Sequence, residues 1–176
     1  TLKGLRFRSG YVYTISGPGR IELAADEGRA ILDLQLGKHR IDVPIILGTD
    51  LDVSGTDAGS LSIEGSLDLN GHAMHVTGRA ELRINGDFRM SNGNFVLYGE
   101  ARVAFGPETK AELDGSLEFV PVDIQALEPG VSFILIEGIE HVRTRFKSLL
   151  LPELPHGWRW DIDMFYRNGT VRIAAE

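Results

Sequence analysis

The chain has 176 residues, 21 of them Gly and none Cys, with 43% hydrophobic residues, 24% charged residues and a formal net charge of −7. Zero Cys excludes a disulfide scaffold, a Cys-based zinc site, a thiol nucleophile and an iron–sulfur cluster. The negative charge argues against a general nucleic-acid binder, which needs a basic stripe, and no apolar run is long enough to cross a membrane as a helix. Length and apolar fraction suit one domain with a packed core.

Residues 1–16 read as a lead-in or cap and carry two aromatics, Tyr11 and Tyr13. Gly17-Pro18-Gly19 is followed neither by Lys-Ser/Thr nor by a helical pattern, so it is not a phosphate loop. From there to about 120 the dominant signal is two-residue alternation in short bursts, the mark of strands with one apolar face. Ile21-Glu-Leu23 with Ile31, Leu32 and Leu34 opens the series, and Ile41, Val43, Ile45, Leu47, Leu51 and Val53 continue it. Leu61-Ser-Ile63, Leu67-Asp-Leu69 and Met74-His-Val76 follow, then Leu82-Arg-Ile84, Phe88-Arg-Met90, Phe95-Val-Leu97, Val103-Ala-Phe105 and Leu117-Glu-Phe119. Turn residues part the bursts: Gly65, Asn70-Gly71, Gly78, Asn85-Gly86, Asn92-Gly93, Gly99 and Gly106-Pro107. Ile124 to Glu128 could form one helical turn before Pro129-Gly130 ends it. The stretch 121–176 loses the rhythm, carries Pro121, Pro129, Pro152 and Pro155, and reads as a closing segment and cap.

The bursts repeat. A shift of 21 residues puts Leu61 on Leu82, Ile63 on Ile84, Gly65 on Gly86, Leu67 on Phe88, Met74 on Phe95 and Gly78 on Gly99. A second shift aligns Leu82 with Val103 and Ile84 with Phe105, after which the register slips. Strands this short cannot bury a face alone. Coiling the chain so that each strand stacks on its equivalent one period later gives a continuous interior. Inward columns would be Leu61/Leu82/Val103, Ile63/Ile84/Phe105 and Met74/Phe95, with Gly and Asn corners in left-handed conformations. At ~4.8 Å per rung, roughly seven or eight rungs make a rod of about 35 Å. The competing architecture is an antiparallel sandwich or barrel, which spaces its strands by 8–12 residues.

Two stretches resemble a known family. Gly37-Lys-His-Arg-Ile41-Asp-Val-Pro44-Ile-Ile-Leu47, then Asp50-Leu51-Asp-Val53, Leu61-Ser-Ile63-Glu-Gly65 and Leu67-Asp-Leu-Asn-Gly-His72, resemble the β-strand repeat of autotransporter passengers. Phe133-Ile-Leu-Ile136, Phe146, Leu151-Pro-Glu-Leu154-Pro155, Gly157-Trp158, Trp160-Asp161, Tyr166 and Asn168-Gly-Thr170-Val-Arg-Ile173 resemble the closing segment of such proteins. The resemblance implies a right-handed parallel β-helix of about 20–22 residues per rung with an irregular C-terminal cap, extracellular or on a bacterial cell surface. No barrel sequence follows and Thr1-Leu-Lys-Gly lacks a signal-peptide pattern, so the chain reads as a processed piece of a longer precursor.

The outward residues of the bursts are Ser62, Asp68, His75, Arg83, Arg89, Val96, Arg102 and Glu118. Arg83 and Arg102 could approach each other on adjacent rungs, but no carboxylate cluster keeps register with them. Asp161 and Asp163 share a strand face and could do acid/base work, although the resemblance assigns Asp161 to the closing motif. His72 and His75 read as solvated; His39, His141 and His156 lie apart, and no calcium loop appears. Ser132 and Ser148 lack a nucleophile-elbow context. No catalytic residue, cofactor or metal site is expected. Trp158, Trp160, Phe165 and Tyr166 cluster near one terminus, opposite Tyr11 and Tyr13. They either close the core or carry association, since an uncapped sheet edge templates another chain. The expectation is a non-enzymatic structural protein that forms a homo-oligomer or homopolymer: a filament, surface layer or matrix. The alternatives are a glycan-binding adhesin and a polysaccharide-active enzyme.

Overall fold

In a computed structural model describing residues 1–123 and 127–175, the chain is nearly all β and winds into a parallel solenoid of about five turns. The helical turn expected at 124–128 falls mainly outside the described residues.

Each turn has three faces. The widest stacks Gly4–Arg8, the first half of Ala30–Ile41, Leu51–Gly55, Ala73–Val76, Asn94–Tyr98, Ser116–Val120 and Ser148–Leu150. The second stacks Thr14–Ile15, the second half of Ala30–Ile41, Gly59–Ile63, Glu81–Ile84 and Arg102–Phe105. The third stacks Ile21–Leu23, Ile45–Leu47, Leu67–Asp68, Phe88–Arg89 and Ala111–Glu112. Every one of these pairings is parallel, which excludes the antiparallel sandwich or barrel. Among the described residues seven strands stand on the widest face and five on each of the others, so complete turns are fewer than the seven or eight rungs expected. The extra strands belong to partial turns at the two ends.

The 21-residue register is the register of the ladders. Leu61, Leu82 and Val103 are successive partners, as are Ile63, Ile84 and Phe105, and Met74 stands on Phe95. Past residue 105 the slip takes a definite form: Phe88 pairs with Ala111 and Phe95 with Leu117, so the added residues sit at corners. The inward columns form one apolar cluster with Leu23, Leu47, Leu61, Ile84, Phe88, Phe95 and Leu117 essentially sealed from solvent. Burying each such side chain contributes ~1.5–3 kcal/mol.

The corners use their glycines in two ways. Asn70 and Gly71 take the left-handed conformation (φ 49° and 81°), as expected for a tight bend. Gly86 does not. A Cβ there would run into the Gly65 carbonyl oxygen of the rung beside it, so this recurring glycine permits close approach of stacked backbones.

The long strand Ala30–Ile41 turns a corner at Gly37 (φ 93°) without losing its ladder, so it joins the widest face to the second. At the other end the chain changes direction. Ser132–Ile134, Thr170–Ala175 and Trp158–Asp161 make a three-stranded antiparallel sheet, and the four-residue helix Phe165–Asn168 packs beside it. The cap is therefore more regular than expected.

Candidate functional site

The two ends of the solenoid differ, and the six aromatics singled out in the sequence divide between them. At the N-terminal end, Gly4–Arg8 pairs with Ala30–Ile41 on one side only. Its other edge has no strand among the described residues. Tyr11 (80% exposed), Val12 and Tyr13 follow that strand in the chain and are exposed. Tyr13 rests on His39, and Phe7 stacks on the same imidazole (centroids 5.5 and 4.5 Å).

His39 is a residue that sequence reasoning passed over. It is 3% exposed, with Nδ1 3.3 Å from the Tyr13 N–H and Nε2 2.7 Å from the Leu36 carbonyl. A carbonyl only accepts, so Nε2 carries the proton, and Nδ1 accepts from Tyr13. The two contacts fix the orientation of the ring, which lies as the interior support of the exposed Tyr13. The alternation around it (Lys38, Arg40 outward; Ile41 inward) was the available signal that His39 points in.

Beside this end, Asp33 is nearly buried on the outer side of the widest face. The Gln35 amide, and after it the Arg8 guanidinium, hold its carboxyl below the usual carboxylate range against the opposing effect of burial.

At the C-terminal end the aromatics mostly face inward. Trp160 packs with Phe119 and Phe133 (6.4 and 6.0 Å), and its indole N–H donates to the Pro152 carbonyl at 2.8 Å. Phe165 is fully enclosed between Phe146 and Tyr166, so it offers no surface. Tyr166 is half-buried beneath the Arg145 guanidinium (4.8 Å), and burial raises its phenol pKa. Trp158 is half-buried on the outer strand of the antiparallel sheet.

The lateral faces carry ion pairs, and the acid/base candidates of the sequence do not converge among the described residues. Asp161 accepts the Asp163 N–H (3.1 Å) in a local turn. Arg83 pairs with Glu81 at 2.9 Å, and Glu81 in turn stands opposite Arg102, so a carboxylate separates the two arginines. His72 lies 3.8 Å from Asp50. Among the described residues no three His, Asp or Glu side chains group as metal ligands.

His75 corrects an expectation. It points outward, yet it is only 9% exposed. Tyr98 stacks against it (centroids 6.1 Å), and Val96 of the next rung, itself 2% exposed, stands at its side. Rungs about 4.8 Å apart leave little room for water between bulky outward neighbours. Burial pushes the His75 imidazole below its ordinary pKa, with the nearby Arg29 charge adding to the effect.

No protein-family model, no curated protein and no solved structure matches this chain.

Proposed function

We propose that the protein is a non-catalytic structural module of a bacterial surface or extracellular assembly, of the autotransporter-passenger type, that self-associates through its ends. The observation that carries this reading is the outer edge of Gly4–Arg8, with no strand on it among the described residues and followed in the chain by exposed Tyr11, Val12 and Tyr13. An edge strand with unused N–H and C=O groups is a template for another strand. The outer strand of the closing sheet, Trp158–Asp161, has a second edge with no strand on it among the described residues, so head-to-tail contacts that do not close would propagate as a filament.

Light scattering over a wide concentration range, with negative-stain microscopy, tests the proposal. Growth of particle mass with concentration and rod-like or layered particles are expected. Arg6→Pro removes an outward N–H at an exposed edge position and should suppress them. A strictly monomeric wild type would overturn the reading. Saturable binding on a glycan array by that monomer would put the adhesin in its place.

A further inference from the structure

We propose that copies of this chain join head to tail by continuing the widest face, with Gly4–Arg8 of one copy laid parallel on Ser148–Leu150 of another and Leu5 set opposite Leu149. The inference rests on the self-association proposed above and names the edge and the register that carry it.

Gly4–Arg8 and Ser148–Leu150 are the first and last strands of one sheet, and both pair parallel with their neighbours. Among the described residues no strand lies on the far side of either. The two far sides match in hydrogen-bond phase. In a parallel ladder the N–H and C=O of one residue reach the same neighbour, and alternate residues reach opposite neighbours. Along the widest face the inward residues reach forward. The Ala30 N–H donates to the Asp50 carbonyl (2.8 Å), and the Leu34 and Val53 carbonyls accept from the Thr56 and Thr77 N–H groups (3.1 and 2.8 Å).

The end strands keep this phase. The Ser116 N–H donates back to the Gly93 carbonyl (3.3 Å), so Leu117 reaches forward, to the residues on either side of its register partner Leu149. Ser148 and Leu150 are thereby engaged, and Leu149 turns its N–H and C=O to the far side. Lys147, in the corner before the strand, donates back to the Gly115 carbonyl (2.8 Å) and stands outside this alternation. At the first strand the Lys3 carbonyl accepts from the Ile31 N–H (3.2 Å), so Leu5 and Phe7 reach Ala30–Ile41 while Gly4 and Arg6 turn outward. Joined, the Leu149 N–H donates to the Gly4 carbonyl of the other copy, and the Leu149 carbonyl accepts from its Arg6 N–H. This is the forward step that the inner rungs make.

Side chains select the register. Leu149 and Leu151 pack toward the core at one end, as Leu5 and Phe7 do at the other. Setting Leu149 on Leu5 sets Leu151 on Phe7 and lays exposed Leu150 beside the stem of Arg6. A slip of one residue would put inward side chains on outward ones. A slip of two would put Lys3, ion-paired with Asp26, on Leu149, or leave Leu5 without an apolar partner. Pro152, which has no N–H, ends the edge after Leu151.

The test is thiol cross-linking, and the chain has no Cys of its own to compete. Arg6→Cys and Leu150→Cys variants are mixed and mildly oxidised, and the disulfides are mapped by mass spectrometry. In-register neighbours lie ~4.8 Å apart, within disulfide reach, whereas a two-residue offset gives about 8 Å, beyond it. The 6–150 link should exceed, by about fivefold or more, the links of Arg8→Cys with Leu150→Cys and of Arg6→Cys with Arg159→Cys. Assembly by light scattering without a dominant 6–150 link overturns this inference and leaves self-association standing; a monomer at all concentrations overturns both. The unaltered protein gives a second arm. An end-blocked peptide of residues 2–9 should occupy the Ser148–Leu150 edge and lower particle mass, and the same peptide methylated on the Arg6 nitrogen should not. Equal effects of the two peptides overturn the inference.

Discussion

The coils up to residue 120 and the segment after them both cover an apolar interior, by opposite means. In the coils every strand is parallel to its neighbours and roughly one turn ahead of the last in sequence. Such stacking is self-templating, for each rung covers the previous one and leaves a fresh edge. The closing segment breaks that cycle. It reverses strand direction, lays Trp160 over Phe119 and Phe133, and seats Phe165 against Phe146. The contrast teaches that a solenoid gains its core by repetition but ends only by abandoning it. Among the described residues no strand pairs with the outer edge of Gly4–Arg8.

The contrast can be broken at its two centres. Phe88→Ala in the coils and Phe165→Ala in the closing segment each empty a fully buried site and should cost ~3–5 kcal/mol. Urea unfolding read by two probes separates the regions, because both tryptophans lie in the closing segment. With Phe165→Ala, tryptophan fluorescence should change at lower urea than far-UV circular dichroism. Coincident transitions would show that cap and coils unfold as one unit.

A smaller loss, ~1–3 kcal/mol, is expected for Gly86→Ala, whose added methyl meets the neighbouring rung's backbone. Gly19→Ala, at an open corner where a Cβ meets nothing within 4 Å, should be neutral to slightly stabilising in the same urea titration. Equal costs would mean that the corners do not approach as closely as stacked backbones require. In the closing segment, Trp160→Phe keeps the ring packing but loses the bond to the Pro152 carbonyl, for ~1 kcal/mol.

The smallest effects are pH-dependent and lie in the coils. His75 has a lowered folded pKa, so the folded protein resists the proton that the unfolded chain accepts. Its full stability should hold above pH ~6.5 and decline as pH falls from there toward the folded value. His75→Gln should flatten that stretch of the Tm-versus-pH curve. Asp33 and Glu64 have lowered carboxyl pKa values, so their contributions are present above the ordinary carboxylate range and vanish as pH falls through the folded values. Asp33→Asn should blunt that second, more acidic decline.

The coils were legible because their information is periodic. Leu61, Leu82 and Val103 announce their ladder by spacing alone, and even the slip after Phe105 shows in the sequence. What spacing cannot show is how outward side chains crowd. Val96 and His75 alternate correctly yet are covered by neighbours from other rungs. The closing segment was legible as a cap and not as a sheet. Its pairs, such as Phe133 with Val171 and Trp160 with Ile173, join non-periodic stretches. Nor does composition reveal that Phe165 is enclosed while Tyr11 is bare, since both are aromatics near a terminus.

The strand that turns the corner at Gly37 has a mechanical consequence. A force that peels the N-terminal end away along the axis first opens the short contacts of Gly4–Arg8 and Thr14–Ile15, a few hydrogen bonds at a time. Ala30–Ile41 cannot leave in that way. It is held by Leu51–Gly55 on one face and Gly59–Ile63 on the next, so both ladders must load together before either yields. A single continuous strand thereby acts as a cleat, and the rod should resist peeling most strongly at its second turn.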